Sequence, residues 1–145
     1  MFLSCNSRQN QIDSTKSIFQ KNEKIFDTLI SALSQTVNNS YLSNETEIFS
    51  QASATNPFDN VLWDKALIDF LLENNFHEIH IYNKYKCDSG KIEHLTYAFI
   101  TTDGTILQHD KCSRLAPKIS GSHEENTRAI FEKVNDNWVI ISEFF

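Results

Sequence analysis

The chain is poor in glycine and proline, with three Gly and two Pro among its 145 residues. So few glycines exclude most of the glycine-rich loops that cradle phosphates in nucleotide-handling enzymes. The same scarcity excludes a low-complexity chain, and the hydrophobic share of 40% is that of a globular protein. A chain of this length can bury a core without a metal or disulfide. We therefore expect one folded domain.

Basic residues are also scarce, because 13 Lys and Arg stand against 19 Asp and Glu, giving a net charge of -6. A negative chain without a basic stripe repels a phosphate backbone, so we expect no nucleic-acid partner. No apolar run approaches the roughly 20 residues that a membrane-spanning helix needs. Any membrane attachment is then covalent or peripheral.

Metal-binding and catalytic motifs are missing as well. The three cysteines form no CxxC motif, and no HExxH or phosphate-loop spacing occurs. The sequence therefore predicts neither a metal site nor a cofactor, and it favours binding over catalysis. Cys87 and Cys112 can form a disulfide only if the third strand of the predicted sheet ends before Lys111, and otherwise they are free, partly buried thiols.

The amino terminus carries the most specific signal, since Phe2, Leu3 and Ser4 precede Cys5. This run resembles the end of a bacterial lipoprotein signal peptide, of the Bacteroidetes type, in which the cysteine carries the lipid. The resemblance implies that residues 1–5 are the remnant of a signal peptide whose upstream part is missing.

That interpretation fixes the predicted domain organisation and location. It makes the polar residues 6–17 a tether and residues 18–145 a single domain at the cell envelope, facing the periplasm or the cell surface. The alternative is an ordinary terminus that happens to contain Cys5. If Met1 is the true start, we expect a cytoplasmic protein.

Hydrophobic spacing predicts two or three helices. A stripe from Ile18 to Val37, preceded by the capping residues Asp13 and Ser14, predicts one long amphipathic helix that ends near Asn38. Apolar residues between 41 and 49 can form a short second helix. A further helix follows Asn60 and ends at Asn74 and Asn75.

From Phe76 onward the hydrophobic period is two, which predicts strands. A three-residue loop at 88–90 aligns Ile79 with Phe99. A two-residue loop at 103–104 aligns Ala98 with His109. A last hairpin turns at 135–137 and is apolar on both faces. The sequence thus predicts an α+β fold, a long N-terminal helix plus one or two further helices packed on a curved, five-stranded antiparallel sheet.

The closing segment FEKVNDNWVIISEFF, within residues 127–145, is similar to the final hairpin of the NTF2-like (cystatin-like) fold. In that family a long N-terminal helix packs into a cone formed by a bent sheet. The resemblance implies a pocket between helix and sheet that holds a small molecule or supports acid–base chemistry.

Candidate pocket residues are few. In the proposed register, His80 and His109 flank Ala98 on one sheet face, with His94 on the middle strand and Tyr82 beyond His80. Two strand spacings separate the outer imidazoles by about 10 Å, too far to share a zinc ion. The histidine pair His77 and His80 is expected to point to opposite faces. Scattered histidines on a half-solvated sheet are the alternative.

Three functions from different classes remain as hypotheses. The first is a lipid-anchored envelope protein that binds an unknown protein or small molecule. The second is an acidic, immunity-type partner of a basic protein, motivated by the charge of -6. The third is an NTF2-like carrier or enzyme. A homodimer is compatible with each of them.

Overall fold

The structure is a computed structural model, and it describes residues 5–37, 45–50, 65–82, 96–110, 123–125 and 128–143. Three helices lie in these ranges: α1 (Cys5–Lys21), α2 (Glu23–Val37) and α3 (Lys65–Glu73). The strands are β1 (Glu45–Ser50), β2 (Phe76–Tyr82), β3 (Thr96–Thr101), β4 (Ile106–Asp110), β5 (His123–Glu125), β6 (Ala129–Lys133) and β7 (Trp138–Glu143).

The described strands form one antiparallel sheet in the order β1-β2-β3-β4-β7-β6-β5. Helices packed on an antiparallel sheet confirm the predicted α+β class. All five strands expected from the period-two pattern are present as β2, β3, β4, β6 and β7. Two further strands, β1 and β5, occupy the edges. The short helix considered for residues 41–49 is a wrong prediction, because residues 45–50 pair with β2 as a strand.

A single residue divides the predicted long helix in two. Asn22 lies between α1 and α2, and its side-chain amide donates to the carbonyl oxygen of Ile18 at 2.8 Å. Its own carbonyl oxygen accepts from the N–H of Phe26 at 3.1 Å. Asn22 therefore ends α1 and begins α2, as asparagine commonly does at helix termini.

The polar segment 6–17 is part of α1, so the prediction of a tether is wrong. Ile12 is fully buried, Thr15 is 3% exposed, and Phe19 is 2% exposed. These three residues follow a helical spacing of three and four, and they face the core despite polar neighbours. The folded domain therefore includes residues that the composition assigns to a linker.

The core lies between the helices and one face of the sheet. Phe26 is at its centre, with ring centroids 5.4 Å from Phe19, 5.6 Å from Phe70 and 5.7 Å from Trp138. Tilted and edge-on arrangements of this kind are favoured by aromatic quadrupoles. Aliphatic residues complete the cluster: Ile12, Leu29, Leu33, Leu71, Ile79, Ile81, Leu107, Ile130 and Ile140.

The opposite sheet face holds a second apolar cluster without helix residues. Ala129, Val139 and Ile141 are 3%, 3% and 7% exposed, and Ile106 and Phe131 pack against them. The closing hairpin is thus buried on both faces, as its two-sided apolar pattern predicts. We call these two sides the helix face and the outer face of the sheet.

Candidate functional site

Three polar side chains, those of Ser34, Tyr97 and His109, lie close together near the end of α2. The hydroxyl groups of Ser34 and Tyr97 lie 3.1 Å apart. Beside them, the His109 ring has its centroid 6.2 Å from Tyr97 and 4.7 Å from Trp138. Burial raises the pKa of Tyr97, and the hydrogen bond with Ser34 offsets only part of that rise. The phenol is therefore a neutral hydrogen-bonding group at physiological pH.

His109 reaches the helix face because the hairpin between β3 and β4 differs from the predicted one. His109 pairs with Tyr97, and Ala98 pairs with Gln108. The turn contains three residues, 102–104, and Gly104 has a φ of 87°. A one-residue change of register moves every side chain to the other face.

The predicted row of His80, Ala98 and His109 is therefore wrong. The pairing of Ile79 with Phe99 is confirmed, and it places His80 opposite Ala98 as expected. With the changed hairpin, His80 and His109 belong to opposite faces and do not form one pocket.

A second cluster of titratable groups lies on β2. The carboxylate of Glu78 lies 3.0 Å from His80 Nε2 and 3.3 Å from His77 Nε2. A bulge between Phe76 and Glu78 shifts the alternation of the strand. The expectation that His77 and His80 point apart is wrong, since both imidazoles contact the same carboxylate.

The other predicted site residues give less information. Cys5 is the first residue of α1, and Tyr82 is the last residue of β2. His94, Cys87 and Cys112, with the disulfide considered for the two cysteines, lie outside the described residues. Within the described ranges, no group of three metal-ligating side chains has a geometry for binding a metal ion.

Charged side chains fasten α1 to the last two strands. Lys16 Nζ lies 3.1 Å from Glu132 Oε1, and Glu132 is only 8% exposed. The Arg8 guanidinium donates to Ser142 Oγ at 3.4 Å and to the carbonyl oxygen of Glu143. These contacts hold the first helix against the helix face at the end of β7.

One carboxylate stabilises the hairpin between β3 and β4. Burial raises the pKa of Asp103, but hydrogen bonds from the Thr101 hydroxyl and the Thr105 N–H outweigh it, so the net pKa is lowered. Accepting N–H and O–H groups favours the charged form of a carboxylate. The charged Asp103 side chain therefore stabilises the β3–β4 turn.

Comparison with known proteins adds no relative. The chain matches no family model, no curated protein and no solved structure. None of the helices in the described part of the chain is both long and apolar enough to cross a bilayer.

The sequence analysis did not predict two polar side chains of these clusters, Ser34 and Glu78. Ser34 is on the helix stripe at a position that carries no motif, and its contact with Tyr97 joins residues 63 positions apart. Glu78 lay between two histidines in the sequence HEIH, but only the bulge brings its carboxylate to both rings. A signal for the bulge was the polar pair His77 and Glu78 in an otherwise alternating strand.

Proposed function

We propose that this protein is a binding module held at the bacterial cell envelope by a lipid on Cys5. The observation that carries the proposal is the run Phe2, Leu3, Ser4, Cys5, which ends as lipoprotein signal peptides end. Covalent lipid gives membrane attachment to a chain without a spanning segment among its described helices. The ligand is a protein or a small molecule.

The use of polar side chains supports binding over catalysis. Glu132 pairs with Lys16, and Arg8 binds the end of β7. Asp103 closes the β3–β4 turn. These side chains stabilise the fold through ion pairs and hydrogen bonds, whereas a catalytic carboxylate needs access to a substrate.

Metabolic labelling tests the lipid directly. The native gene is expressed in its host with radioactive or alkyne-tagged palmitate, alongside Cys5→Ser and the matched control Cys87→Ser. We expect label in the native chain and in the control, none in Cys5→Ser, and accumulation of an unprocessed precursor under globomycin. Equal labelling of native and Cys5→Ser chains, or no labelling of the native chain, contradicts the proposal.

The helix face supports a second candidate function, an NTF2-like carrier of a small molecule. Tyr97, whose hydroxyl bonds to Ser34, and His109 lie beside the indole of Trp138, and the ring centroids of His109 and Trp138 are 4.7 Å apart. A planar ligand bound there changes the fluorescence of Trp138. The test is a titration of Trp63→Phe protein with a panel of aromatic acids, with His109→Ala as the variant that loses the response. If Trp138 fluorescence responds identically in the Trp63→Phe protein and in its His109→Ala variant, a small-molecule site at His109 is contradicted.

The acidic character supports a protein ligand as the third candidate, since a charge of -6 complements a basic surface. Affinity capture from the native host at low salt, followed by elution at high salt, identifies such a partner. A partner whose retention is independent of salt contradicts recognition by charge.

A further inference from the structure

The direction of α1 relative to the sheet is fixed by two contacts. Arg8 binds Ser142 and Glu143 at the end of β7. Two turns further along the helix, Lys16 binds Glu132, which pairs with Ile140. The helix therefore runs antiparallel to β7, and its first residues lie where β7 ends.

The sheet has two distinct ends along this direction. Ile106 pairs with Ile141, so the exposed turn 102–104 lies level with Ser142 and Glu143. We call this the near end. The turn 135–137, in which Asn135 and Asp136 are exposed, forms the far end. At about 3.3 Å per strand residue, Asp136 lies about 23 Å from the near end.

Cys5 has little freedom relative to the near end. It precedes Arg8 by three residues and belongs to the same helix. A rise of 1.5 Å per residue places it about 4.5 Å beyond Arg8 along the helix axis. The burial of Ile12, which is 0% exposed, prevents this helix from acting as a loose linker.

We infer that the near end of the sheet, at turn 102–104 and the end of β7, faces the lipid bilayer. This inference rests on the proposed lipidation of Cys5. A lipidated thiol at the start of a docked helix holds the domain close to the membrane with one orientation. The far end, with turn 135–137, points away from the bilayer.

Fluorescent labels at the two ends measure this orientation. In chains with Cys87→Ser and Cys112→Ser, a single thiol is introduced as Thr102→Cys or Asp136→Cys, both exposed positions. The lipidated proteins are labelled and reconstituted into vesicles that carry a nitroxide on the lipid headgroup. Circular dichroism verifies that both variants are folded.

We expect quenching of the Thr102 label to exceed that of the Asp136 label roughly twofold or more, because their heights above the bilayer differ by about 20 Å. A Gly and Ser linker of about 12 residues inserted after Cys5 spans roughly 20 Å and should equalise the two signals while keeping the lipid.

If the Thr102 and Asp136 labels are quenched equally in the lipidated chain without the linker, the proposed orientation is wrong. The proposed lipidation of Cys5 is unaffected by that result, because the chain carries the lipid. Stronger quenching of the Asp136 label overturns the orientation as well. A chain in which mass spectrometry finds no lipid on Cys5 overturns the orientation together with the proposed function.

Discussion

Glu132 shows how single residues set the position of α1. Its side chain is 11% exposed on the helix face, and the Lys16 ammonium lies 3.1 Å from its carboxylate. Removing one partner of a buried ion pair leaves the other charge poorly compensated, which costs more than the pair contributes. Lys133 and Asp136 form a pair of similar length at 3.2 Å, but with Asp136 86% exposed.

These two pairs give a matched comparison. We predict that Lys16→Met lowers the free energy of unfolding by about 1–2 kcal/mol, because the buried Glu132 loses the ammonium group that lies 3.1 Å from its carboxylate. Lys133→Met should cost less than about 0.5 kcal/mol, as exposed pairs do. Urea denaturation measures both. Equal losses of stability in Lys16→Met and Lys133→Met contradict the importance of burial for the Lys16 and Glu132 pair. A Lys16→Met, Glu132→Leu double variant that is less stable than Lys16→Met alone contradicts it as well.

Asp103 makes stability depend on pH. Its pKa is lowered below the ordinary value of 3.8, so its charged form binds Thr101 and Thr105 in the folded state. A group with a lowered folded pKa stabilises the fold above its unfolded pKa, and that contribution is lost as the pH falls through the folded pKa.

We therefore predict that Asp103→Ala destabilises the protein at pH 7 and that its stability approaches that of the native chain as the pH falls through the lowered pKa of Asp103. Thermal unfolding from pH 2 to pH 7 measures the difference. Asp136→Ala, which removes an 86% exposed carboxylate from the other turn, is the control and should cost less stability at pH 7. A native-to-Asp103→Ala difference that is constant over this range contradicts the role of the carboxylate.

At the scale of elements, the β3–β4 hairpin depends on the conformation of one glycine. Gly104 has a φ of 87°, and no heavy atom lies within 4 Å of a Cβ placed there. A side chain would meet no neighbour, so its cost is the strain of a positive φ alone.

We predict that Gly104→Ala lowers the free energy of unfolding by about 1 kcal/mol, and that Gly104→Asn costs less because asparagine tolerates this conformation better. Chemical denaturation compares the three chains. Nuclear Overhauser contacts between Tyr97 and His109 verify the register in each. An alanine variant as stable as the native chain contradicts the assigned turn.

The same hairpin shows where sequence reasoning stops. Asp103 and Gly104 mark a turn, and a turn is present, but the pair suits both a two-residue and a three-residue loop. Hydrogen bonds of Thr101 and Thr105 favour the longer loop. The class of fold and the positions of β2, β3, β4, β6 and β7 follow from periodicity, whereas which histidines share a face depends on one residue of register.

Helix α1 illustrates a different error. Composition predicted a tether, although Ile12, Thr15 and Phe19 already have the spacing of a buried stripe. The buried stripe is short, and charged contacts from Lys16 and Arg8 to β6 and β7 add to the attachment of the helix. Long-range ion pairs have no signal in a single sequence, which is why the start of the domain was misplaced.

At the scale of the whole molecule, the proposed lipid on Cys5 and the docked helix α1 would together determine what the protein can contact. A domain held directly at the membrane presents one end to lipid and the other to solvent. Its negative charge of -6 disfavours wide contact with anionic headgroups. Under the proposed lipidation of Cys5, we therefore expect binding partners to meet the protein at the far end or along its sides.

The most direct measurement is the intact mass of the amino-terminal peptide of the mature protein, purified from its native host in detergent. The account predicts that Cys5 is the first residue and carries a diacylglyceryl group on its sulfur. A mature chain that retains Met1, or one whose Cys5 has a free thiol, would contradict the account.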